Sequence, residues 1–212
     1  MLSGRLAQIR GSWFPCLRSS LDRHALLAAI DDTLPSTTHN ILWSVDSRVA
    51  GRDDGQKWFD EGHAVAIYEA VARVKDLAAC RDVGRDAARY AMVSTWRDMM
   101  QPLVGLIGGT PRLAFEQMPV LWNATRRDAG ELVCVESSPR HAVTEVHGFP
   151  YASSQAWVQV WLGHHDAMLR QLRFAGRADV EPAPEDAPAD CVRVRVTWGA
   201  ALSGPPATFG DT

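Results

Sequence analysis

The chain has 212 residues, of which 46% are hydrophobic and 22% are charged, and its formal net charge is −3. This composition is typical of a globular protein and excludes a largely disordered chain, and no apolar stretch is long enough to span a bilayer. The nearly balanced charge also argues against a nucleic-acid partner. A chain of this length forms one large domain or two small ones.

The N-terminus and the cysteines indicate the compartment. The first ten residues contain neither a continuous hydrophobic segment nor a small-residue cleavage site, which argues against secretion and predicts a cytoplasmic protein. No two cysteines have Cys-x-x-Cys spacing, so we expect reduced thiols in the core, with a zinc site or a disulfide as the alternatives. The cysteines are Cys16, Cys80, Cys134 and Cys191.

The N-terminal part of the chain has a helical pattern. Apolar residues recur at intervals of three and four, and turn residues interrupt them. Asp60 is the expected N-cap of the third helix. Pro111 should begin the fifth helix, and Pro119 should kink or split it because proline lacks an amide N–H. The predicted helices cover residues 12–31, 36–49, 61–77, 81–101 and 111–125.

The period changes from helix to strand after the polar turn at 126–130. Val192, Val194, Val196 and Trp198 alternate with polar residues, which is typical of a strand with one buried face. A helix should begin at Ser154 as N-cap and stop at Gly176. The predicted strands are 131–136 and 140–147, joined as a hairpin, then 177–181 and 191–198, and the predicted helix is 154–174.

These elements predict an α+β fold. We expect a helical subdomain over 1–127 and an α+β subdomain over 128–198. The second contains a four-stranded antiparallel sheet with one packed helix in the order ββαββ, and together the two make one domain. Residues 199–212 should be a flexible tail.

Two short segments resemble signatures of a known superfamily. Gly109-Thr110-Pro111-Arg112-Leu113 is similar to the segment that follows the iron-ligating helix of haem-nitric-oxide/oxygen-binding (H-NOX) domains. Tyr151-Ala-Ser153-Ser-Gln155 resembles their Tyr-x-Ser-x-Arg signature, which binds the haem propionates. The order of elements also resembles these domains and the related 4-vinyl-reductase-like ligand-binding domains. The resemblance therefore implies a domain built around a ligand pocket.

Within this superfamily the chain looks closest to a paralogous family of myxobacterial proteins of unknown function. The shared segments are Gly11-Ser12-Trp13-Phe14, Trp58 and Gly148-Phe149-Pro150. The resemblance covers residues 9–198.

The sequence departs from the H-NOX pattern at two places that would contact haem. The predicted helix over 81–101 contains no histidine, and only Met99 and Met100 offer soft donors near the expected ligand position. Gln155 stands where the signature has arginine, and a neutral amide cannot form the charged bidentate contact with a propionate. We therefore expect no cofactor, and a haem gas sensor with a non-histidine ligand is the alternative.

The sequence contains no recognisable catalytic or phosphate-binding motif, so we expect a protein that is not an enzyme. His164 and His165 diverge by about 100° on a helix and cannot both bind one metal, so we expect a surface or partly buried pair and no metal site. The eight tryptophans are more informative, because several lie on helices that should face one another. They either line an apolar cavity or fill a core.

We therefore expect a haem-free small-molecule-binding or signalling-adaptor domain. Its partner would be a small apolar ligand or another protein, and a homodimer stays open. The alternatives are the haem gas sensor and a structural protein–protein interaction module. The expected pocket residues are Tyr90, Trp96, Trp122, Tyr151 and Trp157.

Overall fold

The computed structural model describes residues 6–44, 57–94, 110–188 and 190–202, which form helices and two antiparallel sheets. The predicted α+β fold class is confirmed. The helices are α1 (Trp13–Arg23), α2 (Leu27–Asp31), α3 (Ser36–Ser44), α4 (Glu61–Val74), α5 (Leu77–Ser94), α6 (Pro111–Glu116), α7 (Met118–Thr125) and α8 (Gln155–Gln171). The strands are β1 (Gln8–Arg10), β2 (Trp58–Asp60), β3 (Arg126–Arg127), β4 (Glu131–Ser137), β5 (His141–His147), β6 (Phe174–Glu181) and β7 (Val192–Ala201).

Two predicted helices are each divided in the structure. The segment predicted as one helix over 12–31 forms α1 and α2, because Ala25 has a φ of 53° and interrupts the helical backbone. The segment over 111–125 forms α6 and α7, and Pro119 lies in the first turn of α7, where its missing N–H costs no helical hydrogen bond. The predicted split at Pro119 is therefore confirmed.

The start of α4 agrees with the sequence, and its end comes slightly earlier than predicted. The Asp60 side chain accepts a hydrogen bond from the Gly62 N–H at 2.8 Å, which confirms the predicted cap. The helix ends at Val74 rather than at residue 77. The predicted helical residues 45–49 and 95–101 lie outside the described residues.

A three-stranded sheet that was not predicted joins distant parts of the chain. Strand β1 pairs antiparallel with both β2 and β3. Its strands have two or three residues each, too few for an alternating pattern. Ile9 pairs with Phe59 on one side and with Arg126 on the other. The sheet thereby brings Arg126 to the first residue of α4, which is Glu61.

The larger sheet confirms the predicted four antiparallel strands, in the order β4-β5-β7-β6. The valines of β7 are buried, and Arg193 and Arg195 lie on the opposite face. Strand β7 continues to Ala201, beyond the predicted start of a tail at residue 199, and residues 203–212 lie outside the described residues.

The helix of the sheet subdomain ends earlier than predicted. Helix α8 begins after Ser154, whose hydroxyl accepts a hydrogen bond from the Trp157 N–H, as expected. It ends at Gln171, and Arg173, with a φ of 65°, turns the chain into β6. The prediction that Gly176 stops this helix is wrong, because Gly176 lies within β6, where a methyl group would meet the backbone of β7.

Helices α5 and α8 are in close contact where each has a glycine. A methyl group on Gly84 would lie 2.5 Å from the Val160 carbonyl oxygen, and one on Gly163 would collide with the backbone of Arg81. The Arg81 guanidinium also binds both carboxylate oxygens of Asp166, at 2.7 and 3.0 Å. The close approach and the ion pair fix the position of α8 relative to α5.

One connected group of buried apolar residues includes members from the helical part, such as Ile67, and from the sheet, such as Val196. None of the described helices is long and apolar enough to cross a membrane.

Candidate functional site

The four described residues of the expected pocket do not line one shared cavity in the part of the chain that the structure describes. Trp122 and Trp157 are buried, whereas Tyr90 and Tyr151 are half-buried. Trp96 lies outside the described residues.

Trp157 belongs to an aromatic core. Its ring centroid lies 4.4 Å from that of Phe149. It also lies 6.1 Å from that of Trp161, and the rings of Trp157 and Trp161 are stacked. The side chain is 1% exposed. These contacts make Trp157 a packing residue.

The described contacts of Tyr151 and Tyr90 lie at different places in the fold. The Tyr151 hydroxyl donates a hydrogen bond to Asp60 Oδ1 at 3.2 Å, so the segment that resembles the propionate signature lies against the start of α4. The Tyr90 ring lies 5.6 Å from the Arg23 guanidinium. Of the four described residues of the expected pocket, Trp122 alone lines the cavity found between the helices.

This cavity lies between α5, α7 and α8 and has a volume of about 30 Å³. Most of its lining is apolar, and three of the lining side chains are methionines, which can change shape without branching constraints. The polar side chains gather around Arg126 and His164. The lining residues are Ala88, Met92, Met118, Leu121, Trp122, Thr125, Arg126, Trp161, His164 and Met168.

His164 is a buried neutral imidazole at this cavity, which corrects the expectation of a surface or partly buried histidine pair. Both His164 and His165 are buried, at 7% and 0% exposure. Burial, then the positive charge of Arg126 and the neighbouring titratable ring of His165, hold the pKa of His164 well below its ordinary value. Its Nε2 has no hydrogen-bond partner among the described residues.

His165 differs from its neighbour because both of its ring nitrogens are bonded. Its Nδ1 lies 2.8 Å from the Trp161 carbonyl oxygen, and its Nε2 lies 3.1 Å from Thr144 Oγ1 on the sheet. Burial lowers the pKa of His165 to about 4. His165 therefore ties α8 to the sheet, and His164 alone of the pair is available at the cavity.

Arg126 and Glu61 form a buried ion pair beside the cavity. Arg126 Nε donates to Glu61 Oε1 at 3.0 Å, and the side chains are 6% and 0% exposed. Burial raises the pKa of Glu61, and the charge of Arg126 opposes that effect. The guanidinium also lies 4.3 Å from the centre of the Trp122 ring and 5.8 Å from that of Trp161.

Trp161 completes the polar side of the cavity. Its ring packs edge-on against the rings of Trp122 and His164, at 5.3 and 5.4 Å. In the described part of the chain its indole N–H has no acceptor. A buried polar group without a partner costs about 1–3 kcal/mol, so such groups in a native protein call for a bound molecule or water.

We refer to Arg126, Trp161 and His164 as the polar end of the cavity. It offers an indole N–H donor, an imidazole nitrogen and a guanidinium whose charge is balanced by Glu61. An acceptor atom on a small, mostly apolar molecule would match these groups. In its present shape the cavity has room for one or two water molecules, so a larger ligand requires the methionines to move.

Sequence reasoning missed Arg126, Glu61 and His164 as site residues. Arg126 and Glu61 are far apart in the chain and meet through the three short strands. The burial of His164 could have been predicted from the sequence. Helix α8 has apolar residues on all sides and few charges, which indicates a helix buried all round.

The described residues do not fit haem in the manner that a histidine-ligated H-NOX domain would require. No histidine lies between His63 and His141 in the sequence, so α5 and the segment after it have none. Gly84 and Gly163 close the space between α5 and α8, and the described cavity there is far smaller than a macrocycle. Gln155 begins α8 without a positive charge for a propionate.

Comparison with solved structures identifies the fold. The chain resembles the Fe(II) unliganded H-NOX protein from K. algicida, with a TM-score of 0.60 and 12% identity over 93% of this chain and 100% of that one. It also resembles an oxygen-binding H-NOX domain related to soluble guanylate cyclases, with a TM-score of 0.54 and 13% identity over 92% and 95% of the two chains. The fold is therefore that of H-NOX domains. No protein-family model and no curated protein matches the sequence.

Proposed function

We propose that this protein is a haem-free sensor domain that binds a small molecule in the cavity between α5, α7 and α8, without catalysis. The observation that carries the proposal is a cavity lined by His164 and Trp161, whose buried Nε2 and Nε1 atoms have no partner in the described part of the chain. Two buried polar atoms without a partner, on residues that line one cavity, are costly unless a bound molecule or water completes them.

The chemistry of the lining suggests the class of ligand. A carbonyl or hydroxyl oxygen can accept from the Trp161 N–H and bond to His164, while Arg126 already has its countercharge in Glu61. A carboxylate is disfavoured, because it would add a negative charge beside the buried Glu61. The opposite wall, with Met92, is apolar. A small neutral molecule with one acceptor group fits best.

Binding would also give a signal, because the cavity is smaller than such a ligand. Room must be made by moving the methionines or the helices that carry them. Helix α8 is tied to α5 by Arg81 and to the sheet by His165, so a shift of α8 would reach both parts of the fold. A ligand that prefers the expanded form shifts the population toward it.

Native mass spectrometry of protein purified without added cofactor tests the proposal. We expect a noncovalent small-molecule adduct on the wild type and its loss in Trp161→Phe, which removes an N–H that has no acceptor in the described residues. Trp157→Phe is the matched control, because Trp157 is buried outside the cavity and should keep the adduct. Absence of an adduct, together with no saturable quenching of tryptophan fluorescence by apolar carbonyl probes, contradicts the proposal.

A haem-based gas sensor is the second candidate. Solved structures of this fold include an oxygen-binding H-NOX domain, and His164 is a neutral imidazole with an available nitrogen at the cavity. Haemin titration followed by reduction and carbon monoxide separates the two candidates. A sharp, stoichiometric Soret band that shifts with the gas and is lost in His164→Leu would favour the gas sensor. A broad, non-saturating absorbance is what the haem-free proposal expects.

The remaining expectations stay predictions. They are the relationship to 4-vinyl-reductase-like domains and to the myxobacterial family, the cytoplasmic location, a signalling output through a protein partner and a homodimer. If neither a small ligand nor haem binds, the remaining hypothesis is a structural protein–protein interaction module.

A further inference from the structure

A second group of polar residues lies on the sheet, away from the cavity between α5, α7 and α8. Glu145 and His147 are two residues apart on β5 and therefore share one face. In the register of β5 and β7, Glu145 pairs with Arg193 and Val146 with Val192, which places Cys191 opposite His147. One donor atom from each of Glu145, His147 and Cys191 lies within 4.8 Å of the other two.

We propose that Glu145, His147 and Cys191 bind a zinc ion. A carboxylate, an imidazole and a thiolate are the three ligand types that zinc takes in proteins. Tetrahedral zinc with ordinary bond lengths holds its ligand atoms about 3.3–3.5 Å apart. His147 Nε2 already lies 3.0 Å from Glu145 Oε2, so side-chain movements of about 1 Å bring the set to bonding distance.

The surroundings of Glu145 favour a ligand role over a solvent-exposed ion pair. Its side chain is only 10% exposed, whereas carboxylates that cluster on a protein surface without a metal are exposed to solvent. Arg193 binds Glu145 Oε1 and also donates to Glu181 at 3.1 Å, which holds the other oxygen, Oε2, toward His147. Such outer contacts orient metal ligands. The carboxylate and thiolate together balance the two charges of the ion.

One of the three proposed ligands, Cys191, borders a surface pocket. Cys191 lines this pocket, whose volume is about 400 Å³. Three protein ligands with an open position are typical of zinc sites that also bind water or a small ligand. Water or the Asp190 carboxylate, which lines the same pocket, can complete the site. The pocket residues are Phe149, Pro150, Ala152, Ser153, Asp190, Cys191 and Val192.

Another pair on the same sheet provides a matched comparison. His141 Nε2 lies 2.6 Å from Glu136 Oε1, so it repeats the His–Glu contact at the other end of β5. It belongs to no group of three metal-binding side chains among the described residues. Cys134 is a half-buried thiol on β4 with no such partners in the described part of the chain. A site that needs all three donors should therefore ignore changes at His141 and Cys134.

The test is titration of the full-length, metal-free chain with Zn²⁺ against a chromophoric chelator, repeated with Co²⁺ as a spectroscopic substitute. We expect one equivalent of metal and a thiolate-to-cobalt charge-transfer band. Cys191→Ser and His147→Gln should each weaken binding by at least about tenfold, and Cys191→Ser should abolish the band. Cys134→Ser and His141→Gln should change neither. Circular dichroism of the metal-free variants checks that each is folded.

No stoichiometric binding by the wild type would overturn the zinc proposal. So would binding that survives Cys191→Ser in a folded variant, or that Cys134→Ser weakens equally. The result is independent of the cavity between α5, α7 and α8, because none of the three zinc ligands lines it.

Discussion

His164 and His165 are consecutive buried residues with different bonding. His165 bonds to Thr144 and to the Trp161 carbonyl, and His164 Nε2 has no partner among the residues that the structure describes. A buried hydrogen bond contributes about 1 kcal/mol, and stranding its partner costs more. The two side chains should therefore differ in their contributions to stability.

Leucine substitutions measure this difference. We expect His165→Leu to lower the free energy of unfolding by about 1–3 kcal/mol, because Thr144 loses its partner. His164→Leu removes no described hydrogen bond at Nε2 and should change it by less than about 1 kcal/mol. Urea unfolding followed by circular dichroism gives both values. Equal losses would contradict the assignment of His164 to a ligand site.

The lowered pKa values predict acid sensitivity. Burial lowers the pKa of His165 from 6.5 to about 4, so in this interval the unfolded chain binds a proton that the folded chain does not. Stability from this group is present at neutral pH and is lost as the pH falls from about 6.5 to 4, by about 3 kcal/mol. His164 acts in the same direction, and Glu61, with its raised pKa, acts in the opposite one.

Because other groups titrate as well, the informative quantity is the difference between variants. Urea unfolding between pH 7 and pH 4.5 should show a shallower decline for His165→Leu than for the wild type. Parallel pH profiles would mean that His165 is protonated in the folded protein.

At the scale of elements, the contact between α5 and α8 depends on two glycines. Gly84→Ala would place a methyl group 2.5 Å from the Val160 carbonyl oxygen, and Gly163→Ala would collide with the backbone of Arg81. We expect each to lower the free energy of unfolding by about 1–3 kcal/mol despite the better helix propensity of alanine. Gly199→Ala is the control, because the nearest atom would be 4.0 Å away. Thermal unfolding that ranks Gly199→Ala with the other two would contradict this account.

Elements with a strong local signal could be predicted from the sequence. The alternation from Val192 to Trp198 predicted β7, and Asp60 and Ser154 marked the starts of α4 and α8. These signals succeed because capping and alternation act over a few neighbouring residues.

The candidate site could not be predicted in the same way. Strands β1, β2 and β3 are too short for a period, and they create the contact between Glu61 and Arg126. Trp122 and Trp157 were both expected at a pocket because they are tryptophans on helices that should face one another. Trp122 lines the cavity, whereas Trp157 lies in the core. Aromatic content alone does not separate cavity from core, because either use buries the ring.

At the scale of the whole molecule, an H-NOX fold encloses an interior of tryptophan and histidine rings. Trp122, Trp161 and His164 pack edge to face beside a cavity that has room for one or two water molecules, within a fold that resembles H-NOX domains. The fold itself does not decide what is bound, since function depends on the site. We infer that the polar end of the cavity binds a small molecule other than haem.

The most direct test is a high-resolution crystal structure of the protein as purified, without added cofactor. The account predicts electron density for an organic molecule whose acceptor atom lies within hydrogen-bonding distance of Trp161 Nε1 and His164 Nε2, with the neighbouring methionines displaced. An ordered water alone between the two nitrogens, or a haem in contact with His164, would contradict it.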